Sequence, residues 1–183
     1  MAAAPWADEI LDFWFCEMDR QAWFEKSDAT DALIRNRFLA LHEKLAGEIT
    51  LPLDLPPRMV LAAVMAFDQF PRNMFRGTPR AFATDSLALA LARQMVDGGH
   101  DRSLGKDERM FLYLPFEHSE QAAEQIRCCA LFALLEDPEL LRYAQAHKDI
   151  IDRFGRFPHR NPILGRVSTP EEIEFLKQPG SSF

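Results

Sequence analysis

Every glycine and nearly every proline of this 183-residue chain falls where a helical pattern of apolar residues begins or ends. The spacing predicts a first helix from Pro5 to Phe15, with Ile10, Leu11, Trp14 and Phe15 as its apolar stripe. A second is capped near Asp28 and runs to Ala46. Leu33, Ile34, Phe38, Leu41 and Leu45 share one face, and Gly47 stops it. The third opens at Pro56 and Pro57. Its run from Met59 to Phe67 is apolar all round, which marks a central helix. Pro71 is expected to end it, because the residue before a proline avoids the helical region. A fourth spans Thr84 to Asp97 and stops at Gly98-Gly99, and a short fifth covers Lys106 to Tyr113. A sixth begins near Pro115 or Ser119 and ends by Glu136, and a seventh runs from Pro138 to Phe154 before Gly155. Thr169-Pro170-Glu171-Glu172 reads as a capping box with proline at the first helical position. No segment of useful length alternates with period two. The reading is all-α: a right-handed α-superhelix of antiparallel helical hairpins, tetratricopeptide-repeat-like, in a single domain over residues 1–183.

One phrase occurs twice. Phe70-Pro71-Arg72-Asn73 reappears as Phe157-Pro158-His159-Arg160-Asn161. Each copy follows a predicted helix, and each is trailed by an arginine, a glycine and a Thr-Pro pair. Loops usually drift, so two helix exits built alike suggest an old duplication or a shared task.

The formal charge of -7 argues against general nucleic-acid binding. Arginine is nevertheless concentrated. Arg72, Arg76 and Arg80 lie in residues 68–80, and Arg153, Arg156, Arg160 and Arg166 in residues 153–166, with no lysine in either stretch. Rigid guanidinium forks on an acidic body suit a specific anionic partner: a small phosphate- or carboxylate-bearing ligand, or an acidic peptide. Cys16, Cys128 and Cys129 are an odd set that reads as small buried thiols rather than a disulfide framework. The stretch Met1 to Glu9 lacks the basic and long apolar regions of a signal peptide, and Met59–Phe67 is too short to span a bilayer. A reducing cytoplasm is the expected location, with no membrane partner.

Phosphate-binding, nucleophile-elbow, zinc-protease and paired-cysteine motifs are absent. Nothing at ligand spacing compels a metal site. Four polar elements remain. Asp68 closes an apolar helix beside Arg72, Asn73 and Arg76, and requires a cationic partner if buried; an Asp–Arg clamp between two helix ends is the structural alternative. Glu117, His118 and Glu120 surround Ser119, a credible N-cap. Glu117 and His118, with His159, are the candidate acid–base residues. With Gln121, Glu124 and Gln125 they form a polar stripe opposite Ile126, Cys129, Ala130 and Phe132, either a solvated face or an acid–base site. His147 interrupts an apolar stripe of Leu140, Tyr143, Ile150, Ile151 and Phe154. Finally, the loop carrying Arg156, His159, Arg160 and Asn161 holds too much phenylalanine and proline for a solvated loop, and is expected to fold inward, either as a ligand site or through Arg–Glu bridges to the stripe around Glu117 and Glu120. Asp68, Arg72, Asn73, Arg76, Glu120, His147, Arg156, Arg160 and Asn161 are the candidate ligand contacts.

Leu11-Asp12-Phe13-Trp14-Phe15, Trp23-Phe24, Asp68-Gln69-Phe70-Pro71-Arg72-Asn73, Ala81-Phe82-Ala83-Thr84-Asp85, Leu114-Pro115-Phe116-Glu117-His118-Ser119-Glu120 and Phe154-Gly155-Arg156-Phe157-Pro158-His159-Arg160-Asn161 together resemble the bacterial family called domain of unknown function 924. The resemblance runs from about Ile10 to Leu176. It implies an all-helical fold similar to tetratricopeptide repeats, and no activity, cofactor or catalytic residue.

Overall fold

The computed structural model describes residues 5–49, 51 and 54–182. Met1–Ala4, on which part of the N-terminal reading rests, lie outside the described residues. Among those described there are eight α-helices, several single-turn helices and no strand. The helices are α1 (Pro5–Asp12), α2 (Asp28–Glu48), α3 (Pro57–Met74), α4 (Asp85–Asp97), α5 (Lys106–Glu117), α6 (Ala122–Ala133), α7 (Pro138–Phe154) and α8 (Pro170–Phe175). No helix among the described residues is long and apolar enough to cross a membrane. The chain divides into two compact units, Met1–Arg76 with Arg80–Pro115, and Gly77–Pro79 with Phe116–Phe183.

In the first unit α3 is central, as its uniform apolarity predicts. Val60 to Pro71 are all buried, and α1, α2 and α4 pack against it. Phe38 and Phe70 lie 4.6 Å apart between centroids, Phe13 and Phe38 5.0 Å, and Trp14 and Phe111 5.4 Å. Phe13 and Trp14 are both 1% exposed, because α1 widens into a π-helical turn at Phe13–Glu17. The wider turn shifts the register, so Phe15 becomes only half-buried, which corrects the stripe expected for a regular helix.

Three helix boundaries also differ from expectation. Helix α2 starts at Asp28 as expected, with Ser27 as its cap, the Ser27 hydroxyl accepting from the Thr30 amide at 3.3 Å. The helix then passes through Gly47, since the Ile49 amide still donates to Leu45 at 2.9 Å. A glycine in the last turn costs only about 1 kcal/mol and does not compel an exit. Leu33, expected on the buried face, is 52% exposed. Pro71 does not end α3, and Pro115 lies inside α5, which reaches Glu117 instead of stopping at Tyr113. An interior proline deprives one carbonyl, four residues earlier, of its donor. For Pro71 that carbonyl is Phe67, and the Thr84 hydroxyl donates to it at 2.7 Å. The lost bond is replaced from the residue that opens α4.

In the second unit α6 packs on α7. Ile150, Ile151 and Phe157 form a core against which Phe154 and Phe175 pack. Helix α7 begins and ends where the sequence placed it, and Gly155 stops it with φ +68. The capping box at Thr169 and Glu172 is present. The thiols are free: Cys128 is buried, but Cys16 is exposed and Cys129 partly so.

Thr84→Val should therefore cost about 1–2 kcal/mol, the penalty for stranding a buried carbonyl. The cost should shrink in a Pro71→Ala background, where the helix supplies its own amide to Phe67. Urea unfolding of the two single variants and the double variant measures the coupling.

Candidate functional site

The first-unit candidates form an ion-pair cluster. Asp68 is 0% exposed. Gln69 Nε2 donates to its Oδ2 at 2.6 Å, and Arg72 Nη2 lies 3.5 Å from its Oδ1. Arg72 also donates from both terminal nitrogens to Asp85, at 2.9 and 3.1 Å. This arginine ties the end of α3 to the first residue of α4, so the Asp–Arg clamp between two helix ends runs through Asp85, while Asp68 pairs with Arg72 within α3. Arg76 closes on Asp31 at 2.6 and 2.8 Å, and Asn73 Oδ1 accepts from Arg76 at 3.2 Å.

The second unit assembles the histidines. Gln125 is fully buried, and its Nε2 donates to the carbonyls of Phe116, Glu117 and Ser119 at 3.3, 2.7 and 2.7 Å. A helix end leaves such carbonyls without intrahelical donors, so this one amide fixes the turn that carries Glu117 and His118. Ser119 does not cap α6. Gln121 holds that position, and the Ser119 hydroxyl accepts from the Gln121 amide at 3.2 Å.

His147 is 5% exposed. Its Nδ1 donates to the Tyr143 carbonyl at 2.9 Å and lies 3.5 Å from Glu117 Oε1. Burial drives its pKa down to about 3. The ring is therefore neutral, with the proton on Nδ1 and Nε2 as its basic nitrogen. Its contact with Glu117 is carboxylate to neutral imidazole, not an ion pair. The ring meets Phe157 edge-on at 5.6 Å, and His118 lies 6.5 Å away. Phe157 also meets His159 at 5.6 Å, and the buried Arg160 guanidinium lies 4.7 Å over its face. Burial, then the charge of Arg160, pushes His159 down to about 4.

Two carboxylates hold this loop in place. Glu120 accepts from Arg166 at 2.7 and 3.0 Å and from the Phe157 amide at 2.7 Å. Glu172 accepts from Arg156 at 2.7 and 2.8 Å, from Asn161 at 3.2 Å and from the Thr169 amide at 2.7 Å. The Arg156 fork is the first cause of a Glu172 pKa lowered to about 2. The loop is ordered and folded inward, as its composition implied.

The model of a family described as bacterial protein of unknown function, DUF924, matches residues 10–180. The chain belongs to this family. A solved structure of a protein of unknown function from Agrobacterium tumefaciens is similar, with 42% identity and a TM-score of 0.86, covering 93% of this chain and 96% of that one. No curated protein matches the sequence.

In this DUF924 chain His147, His159 and Arg160 pack on Phe157, and Glu117 and His118 lie against His147. Glu120, Arg156 and Asn161 hold the loop, and Asp68, Arg72, Asn73 and Arg76 lie in the first unit. Sequence reasoning missed three parts: Gln125 as the amide that fixes the turn, Arg166 as the partner of Glu120, and Phe157 as the shared ring. Gln125 read only as one member of a polar stripe. Arg166 lies 46 residues from Glu120, and no local spacing signals that pair. Among the described residues no group of three or more His, Cys, Asp or Glu is placed to hold a metal ion. A cavity of about 240 Å³ in this unit, floored by Ile150, Phe154 and Phe175, shares no residue with the histidine cluster.

Two outcomes follow. The folded-state pKa values of His147 and His159 lie below the ordinary 6.5, so the unfolded chain binds those protons first. Their stabilisation is complete above about pH 6.5 and is lost as pH falls toward the folded values. Unfolding free energy should drop between pH 6 and 4.5 by up to about 1.4 kcal/mol per pH unit for each proton. His147→Gln should flatten that slope, and an unchanged slope in denaturant melts would refute the assignment. Glu172→Ala removes a cap and a buried partner of Arg156. It should cost about 2–4 kcal/mol in the same assay.

Proposed function

We propose that the second unit binds a small anionic group, a phosphate or a carboxylate, through Arg160, with Glu117, His118 and His159 supplying acid–base chemistry. The observation that supports this most is the burial of Arg160, 8% exposed, beside histidines held neutral. A guanidinium beside neutral imidazoles on one buried ring brings an anion-binding fork and proton acceptors together. In this reading Arg72, Arg76, Arg156 and Arg166, which close on carboxylates of the chain, shape the backbone. Asp68, Asn73, Glu120 and Asn161 serve the same purpose. His147, fixed as its Nδ1–H tautomer, presents Nε2 as a proton acceptor.

The same four pairs favour a second reading, a scaffold that docks a protein or acidic peptide and whose polar motifs are structural. We also read the sequential pairing of α2 with α3, α3 with α4 and α6 with α7 as support for tetratricopeptide-like hairpins, working as one domain of a cytoplasmic protein.

Thermal unfolding with inorganic phosphate and with malonate separates the readings. An anion at 100 times its dissociation constant stabilises by about 2.7 kcal/mol, which is roughly 5–10 °C for a chain of this size. The shift should vanish in Arg160→Gln and persist in Lys177→Gln. A wild-type protein unmoved by either anion at 50 mM would overturn the proposal. A shift with an acidic peptide alone would favour the scaffold.

A further inference from the structure

Helix α6 buries a residue of its polar stripe, Gln125, and exposes part of its apolar side. Gln125 faces inward with Cys128, Leu131 and Phe132, whereas Ala122, Ala123, Ile126, Ala130, Ala133 and Leu134 are exposed. At 3.6 residues per turn these six positions lie within about 120° of one another, and no polar side chain falls between them. Ile126 is 60% and Leu134 65% exposed. The rotation is not adjustable. Gln125 must stay inside because its amide serves the carbonyls of Phe116, Glu117 and Ser119, and the apolar side is thereby committed to the outside. Soluble chains rarely present a contiguous apolar face without a partner for it.

We propose that this face is the seam of a homodimer, covered by α6 of a second copy in an isologous, antiparallel pairing centred on Ala130. Three observations select this occupant. The spacing is self-complementary. Ile126 and Leu134 lie equally far on either side of Ala130, so a two-fold axis there sets each Ile126 against Leu134 of the other copy. The alanines between them allow helix axes to approach to about 8 Å. The area also suffices. Two large and four small exposed side chains present on the order of 500 Å² per copy, and a symmetric pair reaches the roughly 1,000 Å² that a specific interface needs. Finally, the face is uncharged and has no aromatic residue. The charges on α6 are Glu124 and Arg127, and Arg127 lies 5.0 Å over the Phe116 ring. A membrane-surface helix would need a lysine- and arginine-rich polar side, and an acidic or basic partner would need countercharge.

The test is sedimentation of the purified full chain from 5 to 500 μM. The wild type should approach twice its 21.0 kDa mass with rising concentration. Ala130→Glu, and separately Ile126→Gln, should weaken association at least tenfold while far-UV circular dichroism and Tm stay near wild type, because both positions are exposed. A wild type that is monomeric throughout overturns the proposal, as does a dimer that both variants leave intact. Flotation of monomeric wild type with phosphatidylglycerol vesicles would replace it with a membrane surface. Loss of folding in both variants would also overturn it, by showing that the face is not solvent-facing.

Discussion

A buried carboxylate survives in a folded protein only when donors surround it, and Glu172 meets that condition by gathering three separate stretches of chain. Arg156, Asn161 and the Thr169 amide all donate to it. Glu120 does the same for Arg166 and the Phe157 amide. Fixing a loop costs on the order of 1–2 kcal/mol per residue in backbone entropy, and charge-assisted bonds offset that cost. The consequence is the position of Phe157. Fully buried, it is the ring on which His147, His159 and Arg160 converge. Without the two carboxylate anchors there would be a basic, phenylalanine-rich loop and no cluster.

The repeated phrase adopts two conformations. Phe70 to Asn73 lies inside α3, whereas Phe157 is extended and Pro158 to Arg160 form a single 3-10 turn. The difference originates outside the repeat. Before the second copy Gly155 takes a positive φ and stops α7. Before the first copy nothing interrupts the helix, and Thr84 satisfies the carbonyl that Pro71 releases. Proline biases the residue before it, but tertiary context decided whether the helix survived.

Helix α6 shows how a single polar residue inverts an amphipathic reading. The sequence set Gln125 in a polar stripe, with Ile126 and Ala130 on the other side of the helix. The buried amide of Gln125 outweighs the burial of either apolar side chain, because three helix-end carbonyls would lose their donor. The result is a well-held turn at Glu117 and His118 and an apolar outer face.

Helix identity, most helix starts and stops, the central place of α3 and the pairing requirement of Asp68 were legible in the sequence. Each rests on local chemistry: 3.6-residue periodicity, glycine at positive φ, capping at Thr169 and the cost of burying charge. Glu117 and His118 stood out in the sequence as residues that capping alone did not explain. What the sequence could not show is which arginine meets which carboxylate, that Gln125 faces inward, or that Phe157 is shared by two histidines and an arginine. Glu120 and Arg166 are 46 residues apart, and Arg156 and Glu172 are 16. Ion pairs of that separation are chosen by the packing of α6, α7 and α8, because a guanidinium finds its carboxylate only after the helices have brought both out of water. The sequence by itself determined the helices and the chemical types at the cluster, whereas the tertiary structure decided their partners, their protonation and the side of α6 that meets solvent.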